Sequence, residues 1–245
     1  FLSELIGDVW SPAIRVTESA GNDWEPSVAG GPGGVYWVAY DSYRNGNYDV
    51  LLAKVAGSRV ESAAIPVAVS PLFEARATVT VDGKGRPWGG WEEGDPNWGE
   101  DQGYVIRETG PGAVLGTKRE VQVRCYDGGV WKAPAGPLSE AFGGSPVYQP
   151  RLFTDESGGL WATAQRRVVP EAKPGMRANN GYWEYWATRL SGDKWSESFA
   201  LPMSKGRSST RMSGAALGTE LWMAWPTDSR EPGMYHRPLR QRVEL

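Results

Sequence analysis

The sequence predicts an all-β chain built from four related units, and three observations carry that prediction. The first is a recurring stretch, fullest in Asp82-Gly-Lys-Gly-Arg-Pro-Trp88-Gly-Gly-Trp91-Glu92, with altered copies at Gly33 to Asp41, Asp155 to Ala164 and Leu217 to Trp225. Its anchor tryptophans, Trp37, Trp88, Trp161 and Trp222, are spaced by 51, 73 and 61 residues, which suits a four-stranded unit with variable loops. The second is composition: 32 glycines, 18 prolines and 13 tryptophans describe turn-rich, aromatic-packed β structure. The third is that no stretch sustains a helical period. Together they predict one domain over residues 1–245, a β-propeller of four visible four-stranded blades, either a small closed ring or part of a larger propeller.

Each unit reads as a hairpin followed by two further strands. A short strand such as Ala77 to Val81 or Pro150 to Thr154 enters an Asp/Gly-rich turn, where glycine supplies the positive φ that tight hairpins need. The strand after it alternates aromatic and small residues, as in Trp222-Met-Ala-Trp225, a pattern for a strand squeezed between two sheets. The anchor tryptophan is expected to bury its ring between neighbouring blades.

In chain order, the opening Gly7 to Val16 matches Gly128-Gly-Val-Trp131 and Gly192-Asp-Lys-Trp195. These are the places where a glycine turn starts an outermost strand. Residues 7–16 are therefore expected to be an outer strand that closes the last blade or is left over from a preceding one. The four blades are expected at about 24–70, 74–138, 148–203 and 208–245. Arg44-Asn-Gly-Asn47 is a hairpin turn by sequence. The second and third blades carry long excursions, Glu93 to Gly103 and beyond, and Val168 to Asn180. The last blade lacks a fourth strand that Trp10 and its neighbours would supply, since ring closure removes exposed edges. The alternative is that both ends belong to a longer array; the first residue, Phe1, is not methionine and fits a processed product or a fragment.

Charge and motifs exclude several classes. The net charge is −3 with both signs interspersed, so there is no basic surface for nucleic acid and no basic amphipathic segment. No apolar run is long enough to span a bilayer. The single cysteine, Cys125, and the single histidine, His236, leave no internal disulfide and no histidine pair for metal. Phosphate-loop, Cys-x-x-Cys and Gly-x-Ser-x-Gly signatures are absent. No cofactor and no metal are expected.

Several segments carry a resemblance: Asn45-Gly-Asn-Tyr-Asp-Val50, Arg86-Pro-Trp-Gly-Gly-Trp-Glu-Glu93, Asn97-Trp-Gly-Glu-Asp-Gln-Gly103 and Trp225-Pro-Thr-Asp-Ser-Arg230. Over nearly the whole chain they resemble a bacterial propeller region that precedes a polymerase-and-histidinol-phosphatase-like domain of unknown function in large exported proteins. That resemblance implies an accessory, non-catalytic propeller with an adjacent catalytic domain, outside the cytoplasm (periplasmic or secreted). The histidine-rich opening motif of the downstream domain does not occur here, so no catalytic assignment carries over. More distantly, the Asp-x-x-Gly-x-x-Trp turns look like the Asp-box of sialidases, with a longer spacing. Asp-boxes sit away from the catalytic centre and speak for fold, not chemistry.

The candidate site residues follow from the repeat. Arg76, Arg151 and Arg211 sit on first strands, 12, 10 and 11 residues before their tryptophans. An arginine cluster on a carboxylate is what a sialidase-type site needs, but the odd spacing turns Arg211 to the opposite face unless its turn differs in length. Pairing with an acid of a neighbouring blade or a carbonyl near the channel is the structural alternative for all three. Asp41, Glu92, Glu93 and Asp228 end second strands on one face of the ring, where two carboxyls would serve a glycosidase or simply be solvated loop ends. Trp98, Tyr104, Tyr182 and Trp183 in or beside the inserts offer faces for sugar stacking or anchor their loops. Asp95, Asn97, Glu100 and Asp101 cluster oxygen ligands without the glycine punctuation of a calcium loop, and read as turn chemistry.

The expected function is ligand binding or protein interaction, with a carbohydrate or small anionic ligand, through Arg76, Arg151, Arg211, Trp98, Asp41, Glu92 and Asp228. A sialidase-like or other glycoside hydrolase is the alternative.

Overall fold

A computed structural model describes residues 1–44, 46–96, 119–144, 146–168, 182–206, 212–218 and 220–225. Among them the only α-helix is the single turn Leu138–Ala141, and the rest of the regular structure is antiparallel strand apart from a 3-10 turn at Pro32–Gly34. The chain is all-β, as its composition predicts.

Three successive meanders follow a short N-terminal hairpin of β1 (Leu5–Ile6) and β2 (Val9–Trp10). The first sheet runs β3 (Asn22–Gly31), β4 (Val35–Arg44), β5 (Asn47–Ala56) and β6 (Arg59–Ala68) in spatial as in chain order. The second comprises β7 (Phe73–Val81), β8 (Pro87–Gly94), β9 (Arg119–Asp127) and β10 (Val130–Lys132). The third comprises β11 (Val147–Thr154), β12 (Leu160–Val168), β13 (Tyr182–Ser191) and β14 (Lys194–Trp195), and β15 (Phe199–Ala200) also pairs with β13. A fourth hairpin joins β16 (Ser213–Leu217) to β17 (Glu220–Ala224). Within the three meanders the strands fall where the alternating pattern expects them, and the Arg44/Asn47 pair closes the turn that Asn45-Gly46 announces; the segment 7–16, expected as one outer strand, is instead part of the short N-terminal hairpin.

The sheets pack face to face in sequence. Trp37, Ala39 and Leu52 of the first meet Ala77, Val79 and Trp91 of the second. Val121 and Val123 of the second meet Leu152, Ala162 and Ala164 of the third, with Leu138 and Phe142 of the helical turn filling the space between. Tyr185 and Ala187 of the third meet Met212, Met223 and Trp225. The pair Gly89-Gly90 shows why the second strands mix large and absent side chains: a Cβ on Gly89 would stand 3.3 Å from Val67 on one side, and one on Gly90 3.0 Å from Leu152 on the other. Bulk at either position pushes a neighbouring sheet away.

Not every anchor tryptophan is buried. Trp37 is 6% exposed, whereas Trp222, in the last hairpin described, is 62% exposed. Trp10 is also largely exposed, and its strand pairs with Leu5–Ile6. The segment expected to receive it, residues 234–243, lies outside the described residues. The N-terminal stretch instead lays Leu2, Ile14 and Val16 on the far face of the first sheet, against Val38, Tyr40 and Val55.

Candidate functional site

One irregularity recurs on the first strand of each complete sheet. In β3, β7 and β11 the ladder slips by one residue, between Trp24 and Ser27, Ala75 and Thr78, and Tyr148 and Arg151. Two residues of the first strand then oppose one of the second, which is a β-bulge. The leading bulge residues, Glu25, Arg76 and Gln149, have φ of 47°, 60° and 52°, and each lies twelve positions before its anchor tryptophan. Left-handed backbone at non-glycine residues is uncommon and holds only where the surroundings enforce it.

At Arg76 and Gln149 a carboxylate from the preceding sheet holds it. Asp41 on β4 accepts the N–H groups of Arg76 (2.7 Å) and Ala77 (2.8 Å). Glu92, at the matching place on β8, accepts the N–H of Gln149 at 3.0 Å. Because Pro150 follows Gln149 and has no N–H, Glu92 has capacity left, and it takes the Arg76 guanidinium at 2.9–3.0 Å and that of Arg119 as well. Both carboxylates are sequestered: Glu92 is fully buried and Asp41 is 3% exposed. Burial pushes the Asp41 carboxyl up to about 6, although its two backbone bonds and the fields of Arg76 and Arg151 pull the other way. Burial likewise lowers Arg119 to about 10. The Arg119 guanidinium also lies 5.5 Å from the Phe73 ring centre and 5.2 Å from that of Tyr148.

Arg151 has a different setting. Among the described residues its one side-chain hydrogen bond is to the carbonyl of Pro150 at 3.2 Å, and no described carboxylate reaches ion-pair distance. It borders a cavity of about 290 Å³ among the first strands, shared with Ser27, Thr78, Thr154, Ser213 and Gly214. Burial lowers the Arg151 pKa, opposed by Asp41. The predicted site therefore separates: Asp41, Arg76 and Glu92 form a structural latch between sheets, and Arg151 faces open space nearby. Arg211, Trp98, Asp228, Tyr104 and His236 lie outside the described residues. The hairpin leading to Trp222 is, however, one residue shorter than the others, pairing Ala215 with Trp222 where Thr80 pairs with Trp88.

The aromatic residues beside the inserts are engaged. Trp183 packs its ring edge-on to Tyr148 at 4.9 Å, and Lys205 sits 4.3 Å over Tyr182. Of the oxygen cluster considered for calcium, only Asp95 is described, and among the described residues no group of three or more His, Cys, Asp or Glu is placed to hold a metal.

The Asp-containing turns at the opposite end of the hairpins are fully wired. Asp155 accepts from Ser157 Oγ (2.6 Å), Gly159 N (2.9 Å), Trp161 Nε1 (2.9 Å) and Arg189 Nε (3.0 Å). Asp82 does the same for Lys84 N, Arg86 N and Nε, and Trp88 Nε1. The two turns obtain their guanidinium differently. In one Arg86 is local; in the other Gly159 leaves room for Arg189 to reach across from β13, where the second sheet has Cys125.

No protein-family model and no curated protein matches this chain. Among solved structures it is similar to a protein of unknown function from Dyadobacter fermentans DSM 18053, with a TM-score of 0.53 and 11% identity over 85% of this chain and 64% of that one. The Hadza microbial sialidase Hz136 gives a TM-score of 0.48 and 14% identity, over 79% of this chain and 39% of that one. The chain thus spans less than two thirds of the length of either. The likeness to the first is one of fold. Among the described residues no helix is long and apolar enough to cross a membrane.

Proposed function

We propose that the chain is a β-propeller whose successive sheets are blades, and that it is a non-catalytic binding module, extracytoplasmic and accessory to a separate catalytic domain. Meandering four-stranded sheets that stack in chain order around a cavity lined by their first strands support the propeller. The ligand class is carbohydrate or a small anion, taken at the mouth of that cavity.

One observation carries the reading against hydrolysis. Asp41 and Glu92, two of the carboxyls the sequence offers for catalysis, are sequestered as acceptors for bulge N–H groups, and Glu92 is closed off further by Arg76 and Arg119. A glycosidase needs one carboxyl free to donate a proton and another free to attack or to activate water. Carboxylates held by backbone donors and buried at 3% and 0% exposure keep adjoining sheets in register and are shielded from a substrate.

The test pairs two measurements on the same preparation: release of p-nitrophenol from a panel of glycosides and sialosides, and saturation-transfer NMR with the corresponding free sugars and sugar acids. Binding without turnover is the expected result. Turnover above the blank that disappears in Glu92→Gln, with an unchanged melting temperature, overturns the reading in favour of the hydrolase.

A further inference from the structure

The first strands are tied to one another by a ladder of hydroxyl groups. Ser27 Oγ on β3 accepts the N–H of Val79 on β7 at 3.1 Å. One sheet further on, Thr78 Oγ1 on β7 accepts the N–H of Leu152 on β11 at 3.3 Å. The rule is positional: the residue after each bulge turns its side chain to the next sheet and meets the N–H of the strand there. By register, Ser27 pairs with Ala39, Thr78 with Gly90 and Arg151 with Thr163, so the third member of the series is Arg151. The N–H that corresponds to those of Val79 and Leu152 is that of Gly214, because Gly214 pairs with Met223 as Val79 does with Gly89 and Leu152 with Ala162.

At this step the ladder changes chemistry. A hydroxyl oxygen accepts an N–H bond, but a guanidinium has no acceptor. Arg151 and the Gly214 N–H are both donors, and both border the cavity of about 290 Å³. Ser27 and Thr78 add to the donor character, since each oxygen already accepts and its hydroxyl proton remains to be given. Ser213, which holds the same register position on β16, contributes another hydroxyl to the lining.

We propose that the Arg151 step is an oxyanion site: a carboxylate or sulfate group of a small ligand lies between the Arg151 guanidinium and the Gly214 N–H and restores the missing acceptor. A planar guanidinium offers paired donors to such a group, and the hydroxyls of Ser27 and Ser213 border the space the rest of the ligand fills. This rests on the binding-module reading above and narrows its ligand from carbohydrates and small anions to molecules carrying an oxyanion.

The test titrates the ¹⁵N-labelled full chain with sodium acetate and, separately, sodium sulfate, against sodium chloride at matched ionic strength. The Gly214 amide and the Arg151 Nε–H are followed. Saturable shifts of both signals with acetate or sulfate and not with chloride are expected, and Arg151→Gln should weaken the affinity about tenfold or more while Arg151→Lys weakens it less. A response to both anions fits any oxyanion carrier; a response to one selects between carboxylate and sulfate ligands. Absence of a saturable shift in the wild-type chain overturns the proposal without recourse to any variant, and so does an equal shift in a folded Arg151→Gln chain. If neutral oligosaccharides bind while neither anion does, the oxyanion site fails and the binding module stands. Glycoside turnover, by contrast, defeats the module and leaves the anion titration to be judged by its own signals.

Discussion

Replacing Asp155 by alanine tests the wiring of the hairpin turns. The substitution leaves the buried N–H of Gly159 and the indole N–H of Trp161 without their acceptor. An unsatisfied buried donor costs about 1–3 kcal/mol. Arg189 is 30% exposed along its side chain, so it recovers hydration, and its lost ion pair adds at most about 1 kcal/mol. The expected loss is about 3–4 kcal/mol, which for a domain of this size lowers the melting temperature by roughly 6–16 °C. Asp155→Asn keeps an oxygen for Gly159 and Ser157 but turns an NH2 group on Trp161 and Arg189, and should recover no more than about half of the loss. The carboxyl is held far below the ordinary carboxylate range: burial opposes this, but the Ser157, Gly159, Trp161 and Arg189 donors outweigh it. Its contribution is therefore fully present above the unfolded carboxyl pKa near 4 and fades as pH falls towards the depressed folded value. Calorimetric melts of the three chains between pH 7 and 3 measure all of this. A shift under about 2 °C for alanine at pH 7, or an asparagine chain as stable as the wild type, refutes the reasoning.

Three further outcomes are expected. The carboxyl of Asp41 titrates near pH 6 by ¹³C NMR; because that value is raised, its stabilising share is present below the ordinary carboxylate range and is lost as pH rises through 6. Urea unfolding at pH 5 and 7.5 should therefore show a wild-type decline that Asp41→Asn lacks, of about 1.4 kcal/mol. Cys125, buried and with its thiol pushed up to about 11, stays unreactive towards a disulfide reagent at pH 8 until the chain unfolds, and labelling in the native state at the rate of free cysteine contradicts the packing. Gly90→Ala places a methyl 3.0 Å from Leu152 and 3.1 Å from Thr78 and should cost about 1–3 kcal/mol in the same urea experiment.

The repeat, the hairpins and the Asp turns are legible in the sequence because each depends on local signals: an anchor tryptophan, a glycine of positive φ, an aspartate six residues before an indole. The bulges are not. Glu25, Arg76 and Gln149 share no residue type that announces a left-handed backbone; at Arg76 and Gln149 the carboxylates that support it come from the preceding sheet, far away in sequence. The parity argument that put Arg76 and Arg151 on one face therefore misses its target, since the bulge between their positions sends Arg76 to Glu92 and leaves Arg151 facing the cavity. The register of the last hairpin is set by one deleted turn residue, a change that counting along the chain detects and that only strand pairing can interpret. Arg119 carries no local signal, because its role arises from Phe73, Tyr148 and Glu92 meeting around it.

The carboxylate latch also bears on how such a chain lengthens. Each latch is written half in one unit and half in the next: Asp41 has its bulge in the second sheet, Glu92 in the third. A unit copied in tandem arrives with an acid for the sheet after it and a bulge for the sheet before it, so the new junction is complementary from the moment of duplication. A unit inserted from an unrelated array brings neither, and leaves strained backbone unsupported on both sides. Variation in the number of units is thus cheap by duplication and expensive by recombination.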